Sequence, residues 1–283
     1  MKINGYTKLA AVVANPIKHS LSPFIHNLAF ELTGENGVYV AWEVEPEDLA
    51  ETIRNVRRLG MYGLNISMPY KRDVIEFMDF LTDEARLIGA VNTVVNFEGK
   101  LIGHNTDGIG FFKSLEKFDF DVKNREITVL GGGGAAIAII AQAALMGASK
   151  INVCARKSAS YEPLKMRLTE LSKQTKTEIS LSELSEAQKG ISQSKLLVNA
   201  TSVGMDGISM PLDQTVKLPE NLLVVDAIYK IPETAFLRWA KAQGATTVNG
   251  VGMLLWQAAS SFEMWTGKVM PVEQIEKELK EKQ

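Results

Sequence analysis

The stretch Ile127-Thr128-Val129-Leu130-Gly131-Gly132-Gly133-Gly134-Ala135-Ala136 limits the fold more than any other part of the chain. A β-branched apolar run strikes a glycine cluster and passes into an alanine-rich segment: strand, loop, helix. In such a loop Gly131 makes the tight turn, Gly133 lets backbone approach a pyrophosphate, and Ala136 takes the third small position, where helix packs on strand. The helix N-terminus then faces the anion. A glycine cluster also occurs as a plain structural turn, so its surroundings matter. The helix runs to Met146-Gly147-Ala148, where Gly147 suits a C-cap, and Ile151-Asn152-Val153-Cys154 follows as a second strand, completing a βαβ unit.

At the end of that second strand a dinucleotide-binding protein that prefers NAD places a carboxylate for the ribose. Here the residues are Ala155-Arg156-Lys157-Ser158, two cations and no acid, which suits a 2′-phosphate. NADP is therefore expected over NAD. Lys157 serves either that phosphate or only the solvated face of a loop.

Two domains of ordinary size fit in 283 residues, and 46% hydrophobic with 23% charged residues is a globular composition. The 31 basic and 33 acidic residues leave a formal charge of −2, so no general field draws nucleic acid or an anionic membrane. A single cysteine, Cys154, sits in an apolar strand, which excludes a disulfide framework and a cysteine metal site. The three histidines lack any ligand spacing, and no metal is expected. The start Met1-Lys2-Ile3-Asn4-Gly5 is too polar for a signal peptide and no apolar run spans a membrane, so a cytoplasmic location is expected.

Strand-like and helical patterns alternate through the first hundred residues: Leu9 to Ala14 then Pro23 to Leu32, Val38 to Val44 then Pro46 to Leu59, Met61 to Ser67 then Lys71 to Phe80. This rhythm predicts a mostly parallel sheet flanked by helices. A hairpin follows, Val91 to Phe97 and Leu101 to His104, joined by Glu98-Gly99-Lys100, and a helix over Gly108 to Phe118 leads to the glycine loop. Further strands at Leu196 to Asn199, Leu222 to Asp226 and Thr246 to Val248 extend a Rossmann-like half-fold of four or more strands. Two helices, Met253 to Phe262 and Pro271 to Glu281, close the chain. The expected class is α/β, with a substrate domain over residues 1–106, a dinucleotide-binding domain over 107–250, and C-terminal helices, 251–283, packing back on the first domain. The polar region from Ser158 to Ser194 carries little pattern.

Open α/β sheets put ligands where strands end. After the first strand comes Asn15-Pro16-Ile17-Lys18-His19-Ser20-Leu21-Ser22-Pro23, with hydroxyls at Ser20 and Ser22 that suit a carboxylate. Ser22 is equally suited to cap the helix at Pro23. Asn65-Ile66-Ser67-Met68-Pro69-Tyr70-Lys71 follows the third strand and ends in a lysine held by a helix start. Gly103-His104-Asn105-Thr106-Asp107-Gly108 follows the hairpin, and Asp107 is either a functional carboxylate or another N-cap.

These segments occur in order with four more: Gly89-Ala90-Val91-Asn92-Thr93, Asn199-Ala200-Thr201-Ser202-x-Gly204-Met205, Asp226-x-x-Tyr229, and Gly250-x-Gly252-Met253-Leu254-x-x-Gln257. Together they cover residues 20 to about 265, and the chain resembles the shikimate dehydrogenases. That resemblance implies reversible NADPH-dependent reduction of 3-dehydroshikimate to shikimate in the aromatic amino-acid pathway, with a small molecule as partner and a monomer or homodimer as assembly. It implies Lys71 and Asp107 as the catalytic pair and Ser20, Ser22, Ser67, Asn92 and Gln257 on the substrate, with Tyr229 close by. Gly131, Gly132, Gly133, Gly134, Ala135, Arg156, Lys157 and Gly250 then form the cofactor site. Two departures stand out: Ser67 replaces a frequent threonine and keeps its hydroxyl, and Ala155 replaces an asparagine that contacts ribose or adenine.

Chemistry supports the pair independently. Hydride addition to a ketone builds negative charge on oxygen, and a lysine supplies both a cation and a proton there. A neighbouring aspartate favours the charged ammonium. The reverse reaction must shed a proton, so alkaline conditions favour it. The rival readings are a quinate/shikimate dehydrogenase using NAD or NADP and a non-catalytic NADP-binding regulator on the same fold.

Overall fold

The computed structural model describes residues 3–282; Met1 and Lys2, at the polar start noted above, and Gln283 lie outside the described residues. The chain divides into two compact units, one of residues up to Gly110 with those from Leu255 onward, the other of Phe111–Leu254.

The first unit runs through β1 (Lys8–Ala14), α1 (Ser22–Thr33), β2 (Gly37–Glu43), α2 (Leu49–Arg58), β3 (Gly63–Ile66), β4 (Phe80–Leu81), α3 (Asp83–Ile88), β5 (Thr93–Phe97), β6 (Lys100–His104) and the start of α4 (Asp107–Leu115). Its six strands lie in the order β2-β1-β3-β5-β6-β4. β1 is parallel to β2 and β3, the hairpin β5–β6 is inserted antiparallel, and β4 is parallel to β6. The interior of β1 is buried on both faces, as its unbroken apolar run requires. α2 presents Leu49, Ile53 and Val56 to a core that includes Val13, Leu64, Ile66, Val94 and Leu101.

The helix expected over Lys71 to Phe80 is absent. Only a 3-10 stretch, Asp73–Phe77, forms, followed by β4 and α3, which the sequence did not suggest. The Lys71 carbonyl accepts from Val91 N–H at 2.7 Å, which draws it away from a helical ladder, while Thr82 caps α3 by accepting from Ala85 N–H at 3.3 Å. The hairpin turn is Glu98-Gly99, both at positive φ (50° and 81°), so Lys100 already belongs to the strand.

The second unit continues from α4 through β7 (Glu126–Leu130), α5 (Gly134–Leu145), β8 (Lys150–Ala155), α6 (Tyr161–Thr175), β9 (Glu178–Glu183), α7 (Ala187–Ile191), β10 (Leu196–Asn199), β11 (Leu223–Asp226), α8 (Ala235–Ala242) and β12 (Thr246–Val248). All pairs are parallel, in the order β12-β11-β10-β7-β8-β9. β9 lay in the uninformative polar region because it is an edge strand, half-buried along most of its length. α5 buries Ala136 through Ala141 without a break, so the sheet and neighbouring elements cover it nearly all round.

α9 (Val251–Thr266) starts in the second unit, and its remainder, with α10 (Val272–Lys282), belongs to the first. There Trp265 Nε1–H donates to the Val94 carbonyl at 3.0 Å, next to Gly63, where any Cβ would collide with both groups. The C-terminal helices thus pack on the sheet of the first unit.

Candidate active site

β5, β6 and α4 meet at the first unit's best-defined polar cluster. Lys71 Nζ lies 2.5 Å from Asp107 Oδ2, with only 20% and 10% of the two side chains exposed. The other carboxylate oxygen, Oδ1, accepts from Asn92 Nδ2 at 2.7 Å. Asp107 is the first residue of α4, but both of its oxygens go to side chains, and its own N–H donates to Asn105 Oδ1 at 3.2 Å. Asn92 is fixed in turn by the Thr106 N–H, which donates to Asn92 Oδ1 at 2.8 Å. A cation and an anion held so firmly at partial burial form an ion pair with restricted access to water, where charge interactions are weakly screened.

β1 and β3 are parallel neighbours, so the loops that carry Ser20, Ser22 and Ser67 leave the sheet at the same edge. Ser67 N–H donates to Val13 O at 2.9 Å and Asn15 N–H to Met68 O at 3.2 Å, which ties the two loops together. Leu21 is the N-cap of α1, and the Ser22 N–H donates to Ser20 Oγ at 3.2 Å. Of the two serines it is therefore Ser20 that satisfies the helix start, not Ser22. Gln257, on α9, sits where α9 and α4 almost touch: a Cβ on Gly110 would stand 2.4 Å from Gln257 N. Tyr229 lies in the second unit, half-buried after β11, and burial pushes its phenol above the ordinary tyrosine value.

In the second unit the strand order reverses between β7 and β10, and a cavity of about 420 Å³ opens there. Its walls include Gly131, Gly132, Gly133, Arg156 and Ser158. Gly131, at φ 108°, makes the turn, and a Cβ on Gly132 would strike Leu164 at 2.3 Å. At Gly133 and Gly134 nothing stands within 4 Å of a Cβ position, leaving open space before the N-terminus of α5. These features fit a dinucleotide pyrophosphate, and Arg156 lines the same cavity. Lys157 instead pairs with Glu183 at 3.0 Å and is 74% exposed. Gly250 is outside the cavity wall: its N–H donates to Ile228 O at 3.0 Å, and a Cβ would meet Ala227 O at 2.2 Å, so it serves close loop packing.

Among the described residues no group of three or more metal-ligating side chains occurs, and no helix is long and apolar enough to cross a membrane. Sequence reasoning did not single out Asn65, Thr93, Thr106 or Ser261, which form a buried polar network behind Asn92. Asn65, Thr93 and Thr106 stood in the quoted motifs, the only trace of their part.

A doubly wound parallel sheet with a glycine turn at its switch point, joined to a second α/β unit bearing a part-buried Lys–Asp pair, defines a dinucleotide-binding protein of two α/β domains. The profile of the shikimate dehydrogenase substrate-binding domain matches residues 12–94, and that of the shikimate 5′-dehydrogenase C-terminal domain matches 250–280. A shikimate dehydrogenase (NADP(+)) of Lactococcus lactis subsp. cremoris is 68% identical, covering 99% of both chains. The shikimate 5-dehydrogenase of Listeria monocytogenes, solved with shikimate and NAD, superposes with a TM-score of 0.94 at 39% identity, covering 99% of this chain and 98% of the other. That of Thermus thermophilus, solved with NADP(H) and shikimate, gives a TM-score of 0.84 at 34% identity, covering 97% and 99%. The chain belongs to the shikimate dehydrogenase family.

Proposed function

We propose that the chain catalyses the reversible NADPH-dependent reduction of 3-dehydroshikimate to shikimate. The observation that carries this reading is the Lys71–Asp107 contact of 2.5 Å, braced by Asn92 and part-buried at the carboxyl ends of the parallel strands of the first unit. It is supported by full-length relatives that carry that name.

Gly131 to Ala135 of the second unit would hold NADPH, Arg156 would meet its 2′-phosphate, and the bound cofactor would supply the hydride. The ketone carbon gains the hydride while its oxygen gains charge. Lys71 donates the proton that turns this oxygen into a hydroxyl, and Asp107 orients the ammonium and balances its charge. In oxidation the same lysine takes the hydroxyl proton and passes it to solvent. Ser20, Ser22, Ser67 and Gln257 hold the substrate's carboxylate and hydroxyls by hydrogen bonding, and Asn92 divides its amide between Asp107 and the substrate. Tyr229 is assigned to the substrate as well. Lys157 is a weaker candidate for the 2′-phosphate than Arg156, since Glu183 already neutralises it.

The test is absorbance at the nicotinamide band with shikimate or quinate, each paired with NADP or NAD. Reduced cofactor with shikimate and NADP alone is expected. Equal efficiency with quinate or NAD would favour the broader enzyme, and silence in all four with NADP still bound would remove the catalytic reading.

A further inference from the structure

The carboxylate of Asp107 is the end of a longer line of buried groups. We propose that Thr93, supplied by Asn65 and Tyr39, is a positioning residue: a one-way chain of hydrogen bonds from the Tyr39 hydroxyl through Asn65, Thr93 and Asn92 holds and polarises the bond to Asp107. The inference rests on the reading of Lys71 and Asp107 as the catalytic pair.

Groups that can act in only one sense orient the two amides. Asn65 Nδ2 is 3.3 Å from the Asn92 carbonyl oxygen, which can only accept, so the nitrogen of that amide is placed there. Asn65 Oδ1 then faces the Tyr39 hydroxyl at 2.7 Å, and the phenol must donate. At the other end the Thr106 backbone N–H, which can only donate, meets Asn92 Oδ1 at 2.8 Å, so Asn92 Nδ2 is the atom facing Asp107 Oδ1 at 2.7 Å. Between the two amides stands the Thr93 hydroxyl, 3.1 Å from Asn65 Nδ2 and 3.0 Å from Asn92 Oδ1. It receives from Asn65 and gives to Asn92 when the Ser261 hydroxyl, 2.8 Å away and able to act in either sense, donates to it. In that arrangement each link donates toward the carboxylate.

Tyr39, Asn65, Asn92, Thr93 and Asp107 are all buried. Hydrogen bonds in series strengthen one another where water is excluded, and a buried polar group left without its partner is costly. The line joins β2, β3, β5 and α4, so it also fixes where the carboxylate stands relative to the sheet. A hydroxyl that only filled space at residue 93 would need neither the donor behind it nor the acceptor in front.

The experiment compares Thr93→Val, Thr93→Ser and Tyr39→Phe with the wild type by steady-state kinetics with shikimate and NADP, on protein shown to be folded. Thr93→Val should lose about tenfold in kcat while KM for shikimate stays within about twofold, Thr93→Ser should recover most of the loss, and Tyr39→Phe should show a smaller fall. If Thr93→Val does not fold, Tyr39→Phe, which removes one hydroxyl, carries the test. A folded Thr93→Val with wild-type kcat overturns the inference, as would Tyr39→Phe with wild-type kcat when it stands alone. The carboxyl ¹³C resonance of Asp107, assigned with Asp107→Asn, is read in parallel. Should the wild type not oxidise shikimate, the proposed function fails and this signal decides by itself: displacement in Thr93→Val or Tyr39→Phe with recovery in Thr93→Ser upholds the chain, and an unmoved signal overturns it.

Discussion

Lys71 is an ordinary lysine until its surroundings are counted. Its carbonyl is tied to Val91, its ammonium to Asp107, and four-fifths of its side chain is withdrawn from water. Removing it as Lys71→Ala takes away the proposed proton donor without touching the glycine loop. Turnover should fall by about 10²- to 10⁴-fold while NADP affinity, read by fluorescence titration, stays unchanged. A variant with wild-type turnover would remove Lys71 from the mechanism. Lys157 makes the opposite case, since a cation in the right part of the sequence is already paired with Glu183. Only Arg156 of the two lines the cavity, a distinction that two adjacent basic letters cannot express.

Among elements, the contact of α4 with α9 is the most demanding. Gly110 packs so closely on Gln257 that an added Cβ would stand 2.4 Å from its nitrogen and 2.8 Å from its Cα. Backbone cannot yield as a flexible side chain does, so Gly110→Ala must push the helices apart. We expect a loss of roughly 1–3 kcal/mol in urea unfolding and a raised KM for shikimate, because Gln257 moves with the helix. Unchanged stability and KM would show that the helices separate at no cost. The elements themselves were legible to unequal degrees. β1, α1, β2 and the βαβ unit around the glycine loop follow from apolar periodicity and glycine placement, both local properties. β9 and α3 did not, because an edge strand is only half-buried and its sequence need not alternate strongly, and a six-residue helix is too short to show a period.

For the molecule as a whole, pH acts on the reaction and, separately, on stability. Oxidation of shikimate releases one proton, so its apparent equilibrium constant should rise tenfold, about 1.36 kcal/mol, for each pH unit, and end-point absorbance between pH 7 and 9 would read it. A slope of zero would mean that another reaction is being followed. One contributor to the pH dependence of stability is His26, which is fully buried and stacked on Tyr39 with ring centroids 4.2 Å apart; His104, its pKa also lowered by burial, acts in the same sense. Burial pushes the His26 imidazole from the ordinary 6.5 down to about 3. The unfolded chain therefore binds a proton between those values that the folded chain refuses, so this stabilisation is complete above pH 6.5 and is lost as pH falls toward 3. Between pH 7 and 5 the loss should be about 2 kcal/mol, and His26→Phe, which keeps a flat ring, should flatten the urea-midpoint profile by that amount. Parallel profiles for the two proteins would rule His26 out as the cause.

The sequence by itself determined the α/β class, the position of the dinucleotide loop, the cation beside it and the residues from which an active site could be drawn. Each of these depends on neighbours a few positions apart, where steric and hydrogen-bonding preferences act without help from the rest of the chain. Only the tertiary structure decided which of those residues touch. Lys71 and Asp107 are 36 positions apart and Asn65 and Ser261 are 196 apart. Contacts over such distances exist because a sheet with crossover connections, and a C-terminal helix laid on it, bring those segments together when the apolar faces are buried. The same packing turned Lys157 to Glu183, gave the helix start to Ser20, and set Thr93 between two amides.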